Sequence, residues 1–226
     1  RRIAIRRRLV QWPMRRALLW LFAASLWLLT AAVGGNDDLT GYIYPITDPF
    51  EATVTGTPPD LRYKVEKERP MQVKSFDLEI FAGRDMPPLF RPVRRLNFTL
   101  AYQEKASPLV FVIAGTGSSH RAATARFLQH VFYQAGFHVI TLSSPTSYEF
   151  IASASESRVP GVSADDAKDL YRVMQLSLQR TSDLAPVTDV YLTGYSLGGL
   201  HAAFVSHRDE QEQAIGFRKV LLLNPP

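Results

Sequence analysis

The sequence predicts an α/β domain, in which helices cover both faces of a mostly parallel sheet and antiparallel strands lead into it. Three observations predict this fold class. Continuous apolar runs such as LVFVIAG (109–115) and FHVITL (137–142) are typical of strands buried on both faces. Segments with helical spacing separate these runs, and two segments with period-two alternation precede them. With 46% hydrophobic residues among 226, the chain can build one sizeable core.

The two leading strands are predicted at 71–81 and 93–102, with turn formers between them that include Pro87 and Pro88. Because apolar and polar residues alternate in both, we expect two half-exposed strands at a sheet edge. The loop formers Gly, Pro, Thr and Asp dominate residues 36–70, which favours loops with a short hairpin. The polar stretch 143–161, which includes Tyr148, is predicted to be a surface loop, with lining or covering the cleft as the alternative.

Helices and strands alternate in the rest of the chain. One helix is predicted at 120–136, where a glycine ends it, and another begins at Ser163 with two aspartates in its first turn. The strand DVYLTG (189–194), a helix from Leu197 and the strand RKVLLLN (218–224) follow. Ligands of such a sheet gather at the carboxyl ends of its parallel strands.

The N-terminal region combines seven arginines in residues 1–16 with an uncharged stretch, ALLWLFAASLWLLTAAV, at 17–33. Its length is at the lower limit for a transmembrane helix and slightly above that of a signal-peptide core, so both interpretations stay open. A buried core helix would not need arginines on one flank only. Positive charge kept in the cytoplasm predicts export of the domain to the periplasm, either anchored in the inner membrane or released after signal cleavage near Ala32.

These patterns divide the chain into four segments. They are a basic cytoplasmic segment (1–16), a transmembrane anchor or signal segment (17–35), a loop-rich linker (36–70) and the α/β domain (71–226).

Charge and composition exclude several classes of protein. The formal net charge is +5, and removing the seven N-terminal arginines leaves −2 for the remainder, so the domain has no basic face for nucleic acid. The chain has no cysteine, which excludes disulfides, thiolate metal sites and a cysteine nucleophile. Its five histidines form no metal-binding pair, and we expect neither a metal nor a cofactor.

Two strand ends carry glycine-rich turns. The first, IAGTGSSH, has Gly115 and Gly117, but His120 stands where a dinucleotide site needs a third small residue. The second, GYSLG, places Ser196 between Gly194 and Gly198, directly after an apolar strand and before a helix. A serine in such a strained turn has its hydroxyl pushed into the cleft, and the helix N-terminus favours negative charge nearby.

From residue 71 onward the chain resembles the α/β-hydrolase superfamily. The resemblance is carried by the leading antiparallel strands, the FVIAGTG strand and loop, the GYSLGG turn and the VLLLNPP strand, in the family's order. It implies that Ser196 is the nucleophile. It also implies an oxyanion hole made by the backbone amides of Leu197 and Thr116, with Gly117 as the fallback for Thr116. Many members have His-Gly where this chain has Ala114-Gly115, which leaves the backbone role intact.

The resemblance further implies that the catalytic acid and histidine follow later strands, beyond Pro226. We therefore expect a sheet that is incomplete at the C-terminus and a fragment that is inactive by itself. His201 follows Ser196 by five positions on the same helix, and Asp189 lies at the wrong end of its strand, so neither is expected to substitute. His120 and Tyr195 are candidate substrate contacts.

The predicted function is a serine hydrolase that acts on an ester, thioester or amide through an acyl-enzyme at Ser196. Its partner would be a small or lipid-like acyl substrate. Two alternatives stay open, a noncatalytic binding protein of the same fold and an acyltransferase that uses the same nucleophile. An acid and a histidine after later strands would favour an enzyme.

Overall fold

The computed structural model describes residues 46–55 and 69–226. The first range contains a short helix, α1 (Pro49–Thr55), where the sequence predicted loops. The carboxylate of Asp48 accepts a hydrogen bond from the Glu51 amide at 2.8 Å, which satisfies one of the free amides at the start of the helix. The predicted basic segment and apolar stretch lie outside the described residues. No helix within the described ranges is both long and apolar enough to cross a bilayer.

Residues 69–226 form a six-stranded sheet with helices on both faces, as predicted. Its strands are β1 (Val73–Leu78), β2 (Leu96–Ala101), β3 (Ser107–Ile113), β4 (His138–Leu142), β5 (Val187–Tyr195) and β6 (Phe217–Leu223). The helices are α2 (Ala123–Gln134), α3 (Tyr148–Ser153), α4 (Ser163–Thr181) and α5 (Leu197–Glu212), with a 3₁₀ helix at Pro88–Val93.

The strand order is β1-β2-β4-β3-β5-β6. β1 and β2 are antiparallel to their neighbours, whereas β3, β4, β5 and β6 run parallel. Ile113 at the end of β3 is in register with Leu142 of β4 and with Gly194 of β5. The segments that leave these three strands therefore meet at one edge of the sheet, with the loop after β3 in the middle.

Two apolar layers hold the helices on the sheet. The larger layer joins one face to α4 and α5, through residues such as Leu170, Met174 and Val205. The smaller layer joins the other face to α2, through Tyr133 and its neighbours. Helices on both faces explain why the two central parallel strands, β3 and β4, are buried along almost their whole length.

Strand β2 is buried along both faces and lies between β1 and β4, so the prediction of a half-exposed strand at the edge was wrong for it. The alternating pattern reflected polar side chains that are buried with partners. The hydroxyl of Thr99 lies 2.5 Å from that of Thr141 and accepts a hydrogen bond from the Gln129 amide at 3.2 Å. A buried hydroxyl is tolerated when it is hydrogen-bonded in this way.

The stretch 143–161 was predicted to be a surface loop, and this prediction was wrong for its first part. Ser143, Ser144 and Ser153 are buried, and the helix α3 occupies the middle of the stretch. Ser147 caps α3 by accepting a hydrogen bond from the Phe150 amide. The serines misled the prediction because their hydroxyls are buried with hydrogen-bond partners.

A buried carboxylate anchors the C-terminal end of α5. Asp209 accepts hydrogen bonds from the amides of residues 215–217 and, at 2.5 Å, from the Tyr171 hydroxyl. Burial works against the charge of Asp209, but these four donors outweigh it and lower the pKa of the carboxyl. Burial and the bond to Asp209 raise the pKa of Tyr171 to about 12. The anchor fixes the path of the chain from α5 into β6.

Candidate active site

Ser196 occupies a sharp turn between β5 and α5. Its backbone has φ 54° and ψ −130°, a combination that non-glycine residues rarely adopt. The residue is exposed, at the sheet edge where β3, β4 and β5 end. Backbone strain of this kind persists only where the surroundings enforce it, and it clusters at functional sites.

Two glycines make the turn possible. A Cβ built on Gly194 would lie 2.1 Å from the carbonyl oxygen of Gly198. A Cβ built on Gly198 would lie 2.4 Å from the carbonyl oxygen of Ile113 and 2.6 Å from that of Ala114. No side chain fits at either position, because each Cβ would overlap a backbone atom.

Hydrogen bonds hold the turn on both sides. The Ser196 amide donates to the Leu223 carbonyl of β6 at 2.9 Å, and the Gly199 amide donates to the Ser196 carbonyl at 2.8 Å. The first bond fixes the nucleophile candidate to the neighbouring strand. The second starts α5 immediately after it.

The loop after β3 lies directly against this turn. A Cβ built on Gly115 would lie 3.2 Å from the Ser196 Cβ and 3.0 Å from the Tyr195 ring. The loop folds back in a tight turn, in which the Ser118 amide donates to the Gly115 carbonyl at 3.0 Å and Gly117 has φ 64°. Thr116 and Gly117 are the exposed residues of this turn.

The two amides expected to form the oxyanion hole belong to this loop and to the start of α5. Within residues 69–226, neither the Thr116 amide nor the Leu197 amide donates a hydrogen bond to another group. The Gly117 amide, by contrast, donates to the Thr146 hydroxyl at 2.8 Å.

His201 and Asp189 contact other groups. His201 is buried on α5, and its Nε2 lies 3.6 Å from the carboxylate of Asp166 on α4. Desolvation lowers the pKa of His201, although Asp166 partly offsets this effect. Asp189 pairs with Arg218 at 2.7 Å, near the opposite end of β5 from Ser196. Both were expected to be unsuitable as partners of Ser196.

His120 lies in a buried cluster that sequence reasoning missed. Its Nδ1 is 3.1 Å from the Ser143 hydroxyl and 3.7 Å from a carboxylate oxygen of Glu149. Glu149 also accepts hydrogen bonds from the amide and the side chain of Asn97. Desolvation lowers the pKa of His120; Glu149 opposes this effect and Arg121 adds to it. The four residues of the cluster, Asn97, His120, Ser143 and Glu149, are separated along the chain. No local sequence motif therefore predicts the cluster.

The two candidate substrate contacts differ in their surroundings. His120 is only 4% exposed, but it lines a cavity of about 620 Å³ together with Asn97, Arg121 and Glu149. Tyr195 packs its ring against Gly115, and its hydroxyl is buried without a partner among the described residues. No group of three or more histidines or acidic residues in the described part of the chain is arranged to hold a metal ion.

Comparisons with known proteins give matches in structure alone. No family model and no curated protein sequence matches the chain. Brefeldin A esterase, a bacterial homologue of human hormone-sensitive lipase, superposes with a TM-score of 0.52 at 13% identity, over 73% of this chain and 43% of its own. A thermostable esterase from Pseudomonas putida ECU1011 superposes with a TM-score of 0.50 at 16% identity, over 77% of this chain and 49% of its own.

The chain therefore has the α/β-hydrolase fold, with the strained serine turn at the position where β5 meets its helix. It spans less than half the length of these two esterases.

Proposed function

We propose that the protein is a serine hydrolase that forms an acyl-enzyme at Ser196. The observation that carries the proposal is the backbone of Ser196, an exposed residue held at φ 54° by neighbours that leave no room for side chains. A serine with a purely structural role needs no such backbone strain. For a nucleophile the strained turn is useful because it exposes the hydroxyl to a substrate. The esterase names of the two structural neighbours support an ester as the substrate, ahead of a thioester or an amide.

In the proposed reaction the Ser196 hydroxyl oxygen bonds to the carbonyl carbon of the ester while its proton passes to a general base. The carbonyl oxygen becomes an oxyanion, which accepts hydrogen bonds from the amides of Leu197 and Thr116. The base then returns the proton to the leaving alcohol as the bond between carbon and the alcohol oxygen breaks. Water attacks the acyl-enzyme, which releases the acid and restores Ser196.

Three features support these assignments. The Leu197 amide is the first of α5, where the helix dipole favours negative charge. Thr116 is a better second donor than Gly117, because the Gly117 amide is already bonded to Thr146. His120 and His201 contact Ser143 and Asp166 rather than Ser196, so the proposal assigns neither of them as the general base.

Labelling with a fluorophosphonate tests the nucleophile. The full-length protein should be labelled, and Ser196→Ala should abolish labelling and lower kcat about 10⁶-fold, because the variant lacks the hydroxyl. Ser206→Ala, on the same helix, is the matched control and should react like the native protein. Equal labelling of Ser196→Ala would place the nucleophile elsewhere.

Labelling, together with a measurement of acyl transfer to an added alcohol, distinguishes the two alternatives. A noncatalytic binding protein would show no labelling at all. An acyltransferase would be labelled at Ser196 but would pass its acyl group to an added alcohol in preference to water.

We also propose that residues 17–33 direct the domain to the periplasm, as an anchor or as a cleaved signal. The support is the arginine-rich flank that precedes this uncharged stretch. A reporter that is active only in the periplasm, fused after Gly35, should be active. Activity from a cytoplasmic reporter alone would reverse the proposed orientation.

A further inference from the structure

A second cavity, of about 460 Å³, lies next to the loop that follows β3. Its walls are mostly apolar and come from two separate segments, with Met86, Pro87 and Phe90 in one and Tyr148, Ile151 and Ala152 in the other. The second segment also contributes two polar residues to the lining, Thr146 and Arg158. The volume lies in the range of small-molecule pockets, which are typically apolar with a few polar groups. We refer to it as the Phe90 pocket.

The Phe90 pocket is connected to the nucleophile through one side chain. Thr146 lines the pocket, and its hydroxyl accepts the hydrogen bond from the Gly117 amide at 2.8 Å. Gly117 belongs to the same tight turn as Gly115, whose Cβ position lies 3.2 Å from the Ser196 Cβ. The loop that packs against Ser196 therefore also contacts a residue in the wall of the pocket.

Two arginines tie the walls together. The Arg84 guanidinium donates hydrogen bonds to the carbonyls of Ala152 at 3.3 Å and Ser155 at 2.7 Å, and it lies 3.6 Å from the centre of the Phe81 ring. Arg158 donates in the opposite direction, to the Asp85 carbonyl at 3.0 Å. The pocket is therefore formed before a ligand arrives, which lowers the entropic cost of binding.

Aromatic rings complete the wall. The centres of the Phe90 and Tyr148 rings are 5.5 Å apart, and Tyr148 is 51% exposed. Phe90 is half-buried and Tyr148 is exposed, and an apolar ligand is favoured because its binding removes ring surface from water.

We propose that the Phe90 pocket binds the apolar chain of the ester substrate and so selects medium-chain esters over acetates. The proposal rests on the proposed hydrolase function. Each methylene buried in the pocket should raise kcat/KM roughly fourfold until the pocket is full.

Two ester series test the selection and identify which side of the ester enters the pocket. In the first, p-nitrophenyl esters lengthen the acyl chain from acetate to octanoate. In the second, alkyl acetates lengthen the alcohol. We expect kcat/KM of the full-length protein to rise with chain length in one of the two series. No rise in either series would overturn the proposal.

Two variants assign the selection to the pocket. Ile151→Trp fills it and should lower kcat/KM for the long ester at least tenfold while the acetate stays within about twofold. Phe90→Ala removes one wall and should act in the same direction; it keeps the test valid if Ile151→Trp does not fold. Leu89→Ala, at an exposed neighbouring residue, is the control and should behave like the native protein. Native selectivity in both pocket variants would overturn the proposal.

A binding measurement separates failure of the pocket from failure of the proposed function. Anilinonaphthalene sulfonate should bind to the native protein and to Leu89→Ala and be displaced by octanoate, whereas Ile151→Trp should show no such displacement. This readout needs no turnover, so it applies even if fluorophosphonate does not label Ser196. Labelling at Ser196 together with no displaceable binding would overturn the pocket proposal and leave the proposed function standing.

Discussion

Two serines at the same sheet edge stand in opposite environments. Ser196 is exposed at the end of β5, in a turn that glycines and backbone hydrogen bonds enforce. Ser143 is 1% exposed at the end of β4, and a histidine and a glutamate lie close to it. Judged only by the types of residue around each serine, Ser143 resembles a Ser-His-acid triad more than Ser196 does.

The arrangement of Ser143 and Glu149 around the His120 ring is not that of a triad. In a triad the serine and the acid bind opposite nitrogens of the imidazole, so that one orients the ring while the other exchanges a proton. Here the Ser143 hydroxyl and the Glu149 carboxylate both face Nδ1 of His120. Burial also keeps Ser143 from a substrate. The comparison shows that side chains of suitable type can lie close together without the arrangement of a triad, and that exposure and backbone geometry separate the two serines.

The largest expected effect is the loss of stability when a methyl group is added to the glycine turn at Ser196. Gly194→Ala would force a Cβ to within 2.1 Å of the Gly198 carbonyl oxygen, and neither backbone can move without opening the turn. We expect the free energy of unfolding to fall by more than about 4 kcal/mol, or folding to fail. Urea denaturation followed by circular dichroism measures this loss.

Gly216→Ala is the control for that experiment. Gly216 has an unfavourable φ of 75° with open space around its Cβ position, whereas Gly194 has no positive φ and no such space, so Gly216→Ala should cost only about 1–2 kcal/mol. Equal losses for the two variants would show that steric exclusion does not shape the Ser196 turn.

An intermediate effect separates the roles of the two serines. Ser143→Ala leaves the His120 amide and its Nδ1 without the hydroxyl that both contact, and should cost about 1–3 kcal/mol of stability while fluorophosphonate labelling persists. Ser196→Ala should do the opposite, with labelling lost and stability within about 0.5 kcal/mol of native. Loss of labelling in a folded Ser143→Ala protein would make the buried cluster part of the catalytic machinery.

The smallest expected effect is a pH dependence that originates in the buried cluster. Because burial lowers the pKa of His120, the unfolded chain takes up a proton first as the pH falls. The stability is fully present above the unfolded pKa of about 6.5 and is lost as the pH falls toward the folded value. Each such histidine contributes a slope of at most about 1.4 kcal/mol per pH unit.

His120→Gln should reduce this slope when unfolding free energies at about pH 7.5 and pH 5.5 are compared. Part of the slope should remain, since burial also lowers the pKa of His138 and His201. A slope identical to that of the native protein would mean that His120 does not report on the buried cluster.

The Ser196 turn could be predicted from the sequence because its determinants are local. Gly194, Ser196 and Gly198 lie within five consecutive residues, and the strand before them and the helix after them are clear in the apolar pattern. The fold class was confirmed for the same reason, since buried parallel strands are recognisable as continuous apolar runs.

The buried cluster and the Phe90 pocket could not be predicted in this way. They join segments that only the strand order brings together, such as Asn97 of β2 with Glu149 of α3. Hydrogen-bonded polar side chains added a second difficulty. Thr99 and Ser143 suggested exposure in the sequence, but both are buried with partners.

The turn at residue 196 is specified by backbone hydrogen bonds and by the absence of a side chain at Gly194 and Gly198. Nothing in its construction depends on which short side chain residue 196 carries, because the glycines and the bond to Leu223 act on the main chain. A cysteine or an aspartate could replace the serine there without repacking the domain. The fold thus holds the backbone at this position independently of the side chain, so a change of the single codon for residue 196 would place a different functional group at the same exposed point.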